Sequence, residues 1–223
     1  MDRGIWAIWY GLKEEHRRDY ETWFHQVHIP EKLSRPGYLW AAHYALEADK
    51  GFLALFSGTT AHVFLNPSPG QLAKRQSPET KHFMQMRQQS LACILAEEAR
   101  VDGPDVEKRG PNGTPGVVIQ FGNYNAANPA VEDDLGGWYA QERFPLLAKL
   151  PGCIGARKML ATLGTHKHAI LHEFVSLEMR EQHFGPHEAQ AHDPNTWMGR
   201  VRPQLSHAPR SPAIGRRIWP ESN

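Results

Sequence analysis

WFHQVHIPEKLSRPGY (residues 23–38) is repeated as WYAQERFPLLAKLPGC (residues 138–153), and this repeat decides the fold. At a constant offset of 115 residues, Trp23 falls on Trp138 and Pro30 on Pro145, and the Pro-Gly pairs that end the two stretches coincide. Self-similarity at a fixed offset indicates a repeated structural unit. The sequence therefore predicts a chain whose two halves share one architecture.

A segment rich in Gly and Pro separates the two copies. It reads VDGPDVEKRGPNGTPG (101–116) and has no hydrophobic periodicity, a pattern typical of a linker. We predict an N-terminal domain at 1–103, a linker at 104–115 and a C-terminal domain at 116–223.

Within each half, hydrophobic spacing and turn residues predict the same order of elements. The first half has predicted strands at 4–12, 38–46, 51–56 and 90–101, with helices at 14–33 and about 60–76; the second has strands at 117–124, 153–160, 167–174 and 211–219, with helices near 130–150 and 176–190. A β-α-β-β-α-β order is that of ferredoxin-like folds. Such a half leaves one sheet face bare, and this face must be buried. We therefore predict an α+β protein of two fused ferredoxin-like repeats, packed sheet to sheet as a barrel.

Composition excludes several functional classes. The 223 residues carry 25 Lys and Arg against 24 Asp and Glu, so no basic surface for nucleic acid is expected. No apolar run reaches the ~20 residues of a membrane span, and the opening residues turn charged too soon for a signal peptide. The two cysteines, Cys93 and Cys153, are too few for a disulfide scaffold. We expect a cytoplasmic protein that binds neither nucleic acid nor membrane.

The run YETWFHQVHIPEKLSRPGY (20–38) resembles the dimeric α+β barrel superfamily and, within it, the EthD-like group. That group carries a W-[YF]-x-x-x-H-x-P segment on the first helix and a Pro-Gly pair before the second strand. The resemblance implies a barrel with outer helices, a pocket in each half and a small-molecule ligand. It also implies one of several chemistries: lactone isomerisation, polyketide cyclisation, dehydration, cofactor-free oxygenation or haem degradation. Single-repeat relatives pair to complete the barrel, and a homodimer of this chain is compatible with the fold.

His28 occupies the histidine position of that motif, whereas the second half has Arg143 there. An imidazole can give and take protons near neutral pH, but a guanidinium can only bind or stabilise an anion. The sequence thus favours functional asymmetry, with His28 as the proton-transferring group and Trp23 walling the pocket. The structural alternative is a helix-end histidine bonded to a backbone carbonyl.

Three further candidates lie on predicted strands. His172 replaces Ala54 of the first half, and it alternates with Ile170 and Phe174, so it shares their face. Tyr10 could supply a phenol, and His43 lies on the second strand, where Lys158 is its counterpart. The proposed catalytic set is His28, His172 and Tyr10, and the substrate-contacting set is Trp23, His43 and Arg143. A core role is the alternative for each.

No metal or cofactor site is predicted. The sequence lacks H-E-x-x-H, C-x-x-C and Gly-rich phosphate loops, and also the G-x-S-x-G elbow. The His-rich segment HFGPHEAQAHD (183–193) contains Pro186, which disfavours a regular helix, so we interpret it as a solvated loop.

These observations favour a cofactor-independent acid–base enzyme acting on a small cyclic or aromatic metabolite, as isomerase, cyclase, lyase, dehydratase or oxygenase. Two alternatives remain open. One is a non-catalytic protein that binds a small molecule, and the other is a haem-binding or haem-degrading protein with a histidine axial ligand.

Overall fold

Nine antiparallel strands build the sheet in the computed structural model, which describes residues 2–48 and 51–221. They are β1 (Gly4–Gly11), β2 (Tyr38–Leu46), β3 (Phe52–Gly58), β4 (Gln88–Asp102), β5 (Val118–Ala126), β6 (Cys153–Leu163), β7 (His168–Phe174), β8 (Leu205–His207) and β9 (Ala213–Trp219). The eight long strands lie where alternation predicted them. The sequence did not predict β8. The sequence Ala-Asp-Lys-Gly (48–51) predicts a turn between β2 and β3, and its residues 49 and 50 lie outside the described residues.

The strands close into a barrel within one chain. The order is β7-β6-β4-β1-β3-β2-β9-β5, and β5 pairs back onto β7. Two seams, β4 with β6 and β2 with β9, join the halves by backbone hydrogen bonds. The sequence predicted two sheets packed against each other, whereas the seams make one continuous sheet. The strands of the first half run in the order β4-β1-β3-β2, and those of the second half in the order β9-β5-β7-β6. When the four long strands of each half are numbered from 1 to 4 along the chain, both orders are 4-1-3-2.

Helices cover the outside of this barrel. They are α1 (Arg17–Trp23, a π-helical turn Phe24–His28, and Ile29–Leu33), α2 (Pro69–Lys74), α3 (Pro78–Gln85), α4 (Pro129–Trp138, a π-helical turn Tyr139–Arg143, and Phe144–Leu147), α5 (Leu177–Met179, a π-helical turn Arg180–Phe184, and Gly185–Ala189) and α6 (Trp197–Val201). The single helix predicted at about 60–76 is wrong. A 3-10 turn and the short helices α2 and α3 replace it, the helices each beginning at a proline. None of the described helices is long and apolar enough to cross a membrane.

Each π-helical turn comes just before a proline. Pro30, Pro145 and Pro186 lie two residues beyond the three turns. A proline has no N–H for the carbonyl four residues earlier, and in each turn a wider i→i+5 bond forms instead, as from Ile29 N–H to Phe24 O. The helices therefore continue past the prolines. For this reason the prediction of a loop at 183–193 is wrong, since α5 extends through Ala189.

Each strand contributes to two hydrophobic cores, one inside the barrel and one between the sheet and the helices. Ile5 and Trp9 point into the barrel, while Trp6, Ile8 and Tyr10 face the helices. In β5, Ile119 and Phe121 point inward, while Gln120, Gly122 and Tyr124 face outward. A one-residue slip exchanges the faces of a strand. The offset of 115 therefore fails for this strand, and 114 places Tyr10 on Tyr124.

Strand pairing also corrects the counterpart of His172. Trp6 lies opposite Phe56 in the first half, and Gln120 lies opposite His172 in the second. Because Trp6 is equivalent to Gln120, His172 corresponds to Phe56. The sequence comparison, which placed His172 on Ala54, is wrong at this position.

The segment between β4 and β5 is bound to both halves. Gly103 N–H donates to Ile154 O at 3.0 Å, and the Tyr44 hydroxyl donates to Gly116 O at 3.1 Å. The Arg109 guanidinium contacts the fully buried Glu173 carboxylate at 3.1 Å. This connection thus has a defined path across one end of the barrel.

Candidate functional site

The space between sheet and helices differs sharply between the halves. In the second half it holds a cavity in which ≈ 50 Å³ admits the centre of a water molecule. The cavity walls include Gln120, Gly122, Tyr124, Tyr139, Arg143 and His172. Such a concave, largely apolar space with a few converging polar groups is the usual form of a small-molecule site.

Three positions account for the difference. Where the second half has Gln120, Gly122 and His172, the first has Trp6, Ile8 and Phe56. The Trp6 ring fills the corresponding space and lies 6.0 Å from Phe56 and 6.1 Å from Phe64, measured between ring centroids. The first half is therefore plugged by aromatic side chains at the place where the second half is open.

His172 is the central polar group of the cavity. It is 3% exposed, and neither ring nitrogen makes a hydrogen bond. The backbone of Gln120 lies near enough to favour a charged ring without completing a hydrogen bond, but burial and the charge of Arg143 lower the pKa of His172 to about 3. The ring is consequently neutral near pH 7, and both of its nitrogens are available for hydrogen bonds with a ligand.

Arg143 brings a fixed positive charge beside this imidazole. Its guanidinium pairs with the Glu188 carboxylate and lies 4.3 Å from the centroid of the Phe184 ring. The His172 ring packs on the same phenylalanine at 4.9 Å. The π-helical turn of α4 therefore presents Arg143 to the pocket, and Phe184 of α5 aligns both groups.

Glu188 is held ionised by its neighbours. Gln120 Nε2 donates to Glu188 Oε2 at 3.0 Å, and Arg202 approaches the same oxygen at 3.5 Å. Burial alone would raise the pKa of Glu188, but the Arg143 charge, supported by Gln120, lowers it to about 2. With two guanidinium groups to one carboxylate, the site has one positive charge in excess.

Two phenols complete the polar lining. The Tyr124 and Tyr139 hydroxyls lie 3.0 Å apart. Burial raises the pKa of both, that of Tyr139 to about 12. Both phenols are therefore protonated at neutral pH and can donate a hydrogen bond to an oxygen of a ligand.

The residues predicted for the first half lie in its filled core. His28 is buried and stacks on Trp23 and Phe24, with ring centroids at 4.8 and 5.4 Å. The Tyr10 hydroxyl and His43 Nε2 are 2.8 Å apart, and His43 Nδ1 lies 2.8 Å from His25 Nε2. The structure thus brings Tyr10 and His43 together, but neither they nor His28 and Trp23 line the second-half cavity.

Of the predicted residues, His172 and Arg143 meet in the cavity. Sequence reasoning missed Gln120, Tyr139, Glu188 and Arg202. Glu188 had a usable signal, because the predicted helix near 176–190 contains it and Pro186 follows Phe184 just as Pro145 follows Arg143. The interpretation of 183–193 as a solvated loop kept Glu188 out of the predicted site.

The cavity does not suit a haem. An imidazole with free nitrogens is a possible axial ligand, but only ≈ 50 Å³ of the cavity admits the centre of a water molecule. A cavity of about 150 Å³ is filled by one benzene ring. A single ring therefore needs its rim to widen, whereas a macrocycle would need whole helices to separate. Among the described residues no group of three or more His, Cys, Asp or Glu is placed to hold a metal ion.

Comparison with known proteins identifies the fold. No protein-family profile matches the sequence, and no curated protein matches it. A candidate monooxygenase from Lactobacillus acidophilus NCFM has TM-score 0.59 and 11% identity, covering 97% of this chain and 94% of its own. An anthrone oxidase-like protein has TM-score 0.62 and 12% identity, covering 98% and 92%. The candidate chlorite dismutase TA0507 has TM-score 0.62 and 14% identity, covering 98% and 95%.

These three solved structures belong to the dimeric α+β barrel superfamily, and this chain shares their fold. At identities of 11–14% the likeness concerns architecture alone.

Proposed function

We propose that the second-half cavity is the active site of a cofactor-independent enzyme that removes a proton from a small aromatic or cyclic substrate. The observation that carries this proposal is His172, a buried and neutral imidazole without a hydrogen-bond partner, beside the fixed charge of Arg143. A buried polar group left unpaired is costly, so its pairing with a ligand is the simplest explanation.

The roles follow from the chemistry of the groups. His172 takes the proton as general base, and the negative charge that forms on the substrate beside it favours the charged ring, which opposes the effect of Arg143. Arg143 and Arg202 stabilise the substrate anion electrostatically, and the Tyr139 phenol donates a hydrogen bond to its oxygen. Glu188 fixes both guanidinium groups in place and limits the excess charge.

Within this class we favour oxygenation, because two of the structurally similar proteins are described as a monooxygenase and as anthrone oxidase-like. The suitable substrate is a small ring with a CH₂ group conjugated to a carbonyl, whose oxygen carries the negative charge once the proton has left. His172 takes its C–H proton, and the carbanion passes electrons to dioxygen as a C–O bond forms. His172 then returns the proton to the peroxide, and loss of water leaves a carbonyl. The net change is one CH₂ group plus O₂ giving one C=O group plus water.

We also propose that the chain is a tandem member of the EthD-like group, with ferredoxin-like halves at 1–103 and 116–223 joined by 104–115. The shared strand order and the matching π-helical turns before Pro30 and Pro145 support a duplication. On this view the second copy kept the pocket at Gln120, Gly122 and His172, and the first copy filled the equivalent space with Trp6, Ile8 and Phe56.

The first test compares equivalent histidine variants in the two halves. Dioxygen consumption is measured with anthrones, naphthols and phenols, and ring opening with lactones. His172→Asn keeps the side-chain size and removes the base, so we expect kcat to fall at least about 10²-fold, with a melting temperature within a few degrees of the wild type.

His28→Asn is the control in the first half, because His28 corresponds to Arg143 but does not line the second-half cavity. It should leave kcat near that of the wild type. Full activity in His172→Asn, or loss of activity in His28→Asn alone, would move the site to the first half. Saturable binding of a panel member without any turnover would support the non-catalytic alternative instead.

A further inference from the structure

A second cavity lies in the first half, between the end of α1 and the segments that follow β3. It is walled by the last turns of α1, the turn at Pro36, the loop at 63–67, α2 and the start of α3. The space that admits the centre of a water molecule is ≈ 620 Å³, more than ten times that of the second-half cavity. The two cavities share no lining residue.

Lys32 is the unusual group of this cavity. Its side chain is only 5% exposed, and its Nζ lies 4.8 Å from the centroid of the Trp6 ring. No carboxylate of the described residues forms an ion pair with it. A buried ammonium without a counter-ion is costly, and the Trp6 face compensates for only a small part of that cost.

Two more cations line the same space. Arg35 pairs through one NH group with Glu31 at 2.8 Å, while its other terminal nitrogen, NH1, is buried without a partner. Arg75 lies opposite on the segment after α2 and has no carboxylate partner among the described residues. Glu31 is the one acidic side chain in the described lining. Three cations against one carboxylate leave two positive charges in excess.

Neutral donors lie beside these charges. His28 lines the cavity and is 4% exposed, and its Nδ1 has no hydrogen-bond partner. Ser77 and Thr80 also line it; the Ser77 hydroxyl donates to Thr80 Oγ1 at 3.1 Å, which leaves the Thr80 hydroxyl as the donor for a ligand. Together they offer hydrogen bonds to several oxygen atoms of one ligand group.

We propose that this cavity binds a small molecule through a phosphate or similar dianionic group, with Lys32, Arg35 and Arg75 as its charge partners. Two excess positive charges match a dianion, and guanidinium and ammonium groups are the standard protein partners of phosphate. The size of the cavity leaves room for an organic group attached to the anion.

The state of Lys32 supports this assignment. Burial, together with the charge of Arg35, lowers the pKa of Lys32 to about 7, although Glu31 opposes this effect. An anion bound beside the amine would favour the charged form again. The charge of Arg87, which lies outside the lining, also lowers the pKa of Lys32.

The test is equilibrium dialysis of the full chain against radiolabelled inorganic phosphate, at constant ionic strength set with chloride. We expect one saturable site per chain. Lys32→Met keeps most of the apolar stem and removes the charge, so it should weaken phosphate binding at least tenfold. Lys32→Arg should restore part of the affinity. Arg75→Gln changes an exposed side chain and should weaken binding several-fold without risk to the core.

Two controls make the result specific. Lys81→Met removes an exposed charge on α3 outside the cavity and should leave binding unchanged. Arg143→Ala removes the cation of the other cavity and should also leave it unchanged. Equal affinity in the wild type, Lys32→Met and Arg75→Gln would overturn the proposal, and so would loss of binding in Arg143→Ala alone. Because no variant of the first cavity touches His172, this outcome is independent of the proposed enzyme activity.

Discussion

Glu188 holds the charges of the second-half cavity in place, and its ionisation should be visible in the stability of the fold. Its ordinary pKa of 4.5 falls to about 2 in the folded chain. A carboxyl group whose pKa is lower in the folded state stabilises the fold above its unfolded pKa, and this contribution disappears as the pH falls towards the folded value. The relevant window is therefore about pH 5 to 2.

The variant Glu188→Gln tests this directly. We expect it to be less stable than the wild type at pH 7 by about 3 kcal/mol, the usual cost of breaking a buried ion pair. The difference should shrink as the pH falls from 5 towards 2, because the wild-type carboxylate then becomes neutral too. Urea unfolding at a series of pH values measures both effects.

A matched control is Glu178→Gln, since Glu178 lies on α5, is exposed, and forms no ion pair with the described residues. It should change stability by no more than about 0.5 kcal/mol. A difference between Glu188→Gln and the wild type that stays constant from pH 7 to 3 would contradict the electrostatic account.

At the scale of single elements, the strands were the most predictable part of the molecule. Their alternation places one set of side chains in the barrel and the other under the helices, and this pattern is visible in GIWAIWYG and in HAILHEF. The three long helices were predicted at 14–33, near 130–150 and near 176–190, but their π-helical turns were not, because a proline usually ends a helix. In α1, α4 and α5 a π-helical turn lets the helix continue past the proline.

The site was only half predictable for a different reason. His172 and Arg143 were found because each differs in kind from its counterpart in the other half. Glu188 and Gln120 lie 68 residues apart in sequence and meet only through the packing of α5 on β5. Whether a pocket is open depends on the volumes of the side chains that face each other across it. The sequence comparison used an offset of 115 for β1 and β5 where 114 is correct, so it did not align Trp6 with Gln120 or Ile8 with Gly122.

Strand β5 differs from β1 at the position that opens the pocket, and this difference can be reversed. Gly122→Ile restores the side chain that Ile8 supplies in the first half. A Cβ on Gly122 would lie 3.1 Å from Ile170 Cγ2, a close contact that a small shift relieves. We expect ligand binding and turnover to be lost while the melting temperature changes by only a few degrees.

Calorimetry and the activity assay on the same sample separate filling of the pocket from unfolding. Gly136→Ala is a suitable control, because a Cβ at that position of α4 meets nothing within 4 Å. Unchanged activity in Gly122→Ile would show that the substrate does not enter this cavity.

At the scale of the whole molecule, the two seams make each half dependent on the other. Strand β4 pairs with β6 from Ile94 to Asp102, and β2 pairs with β9 from His43 to Leu46. The inward faces of both halves form a single apolar core, in which Trp9 and Phe121 touch with ring centroids 5.1 Å apart. A half on its own would expose both this face and two unpaired strand edges.

Residues 1–103 expressed alone should therefore aggregate or pair with a second copy, because exposed edges and apolar faces promote association. Size-exclusion chromatography with light scattering gives the mass of the species. The positive control is the full chain cut at a protease site placed within 104–115, in which the two pieces should elute together, since the seams and the shared core hold them. A soluble, monomeric 1–103 fragment with a cooperative unfolding transition would mean that the first half is an independent domain, and that the barrel is an association of two stable units.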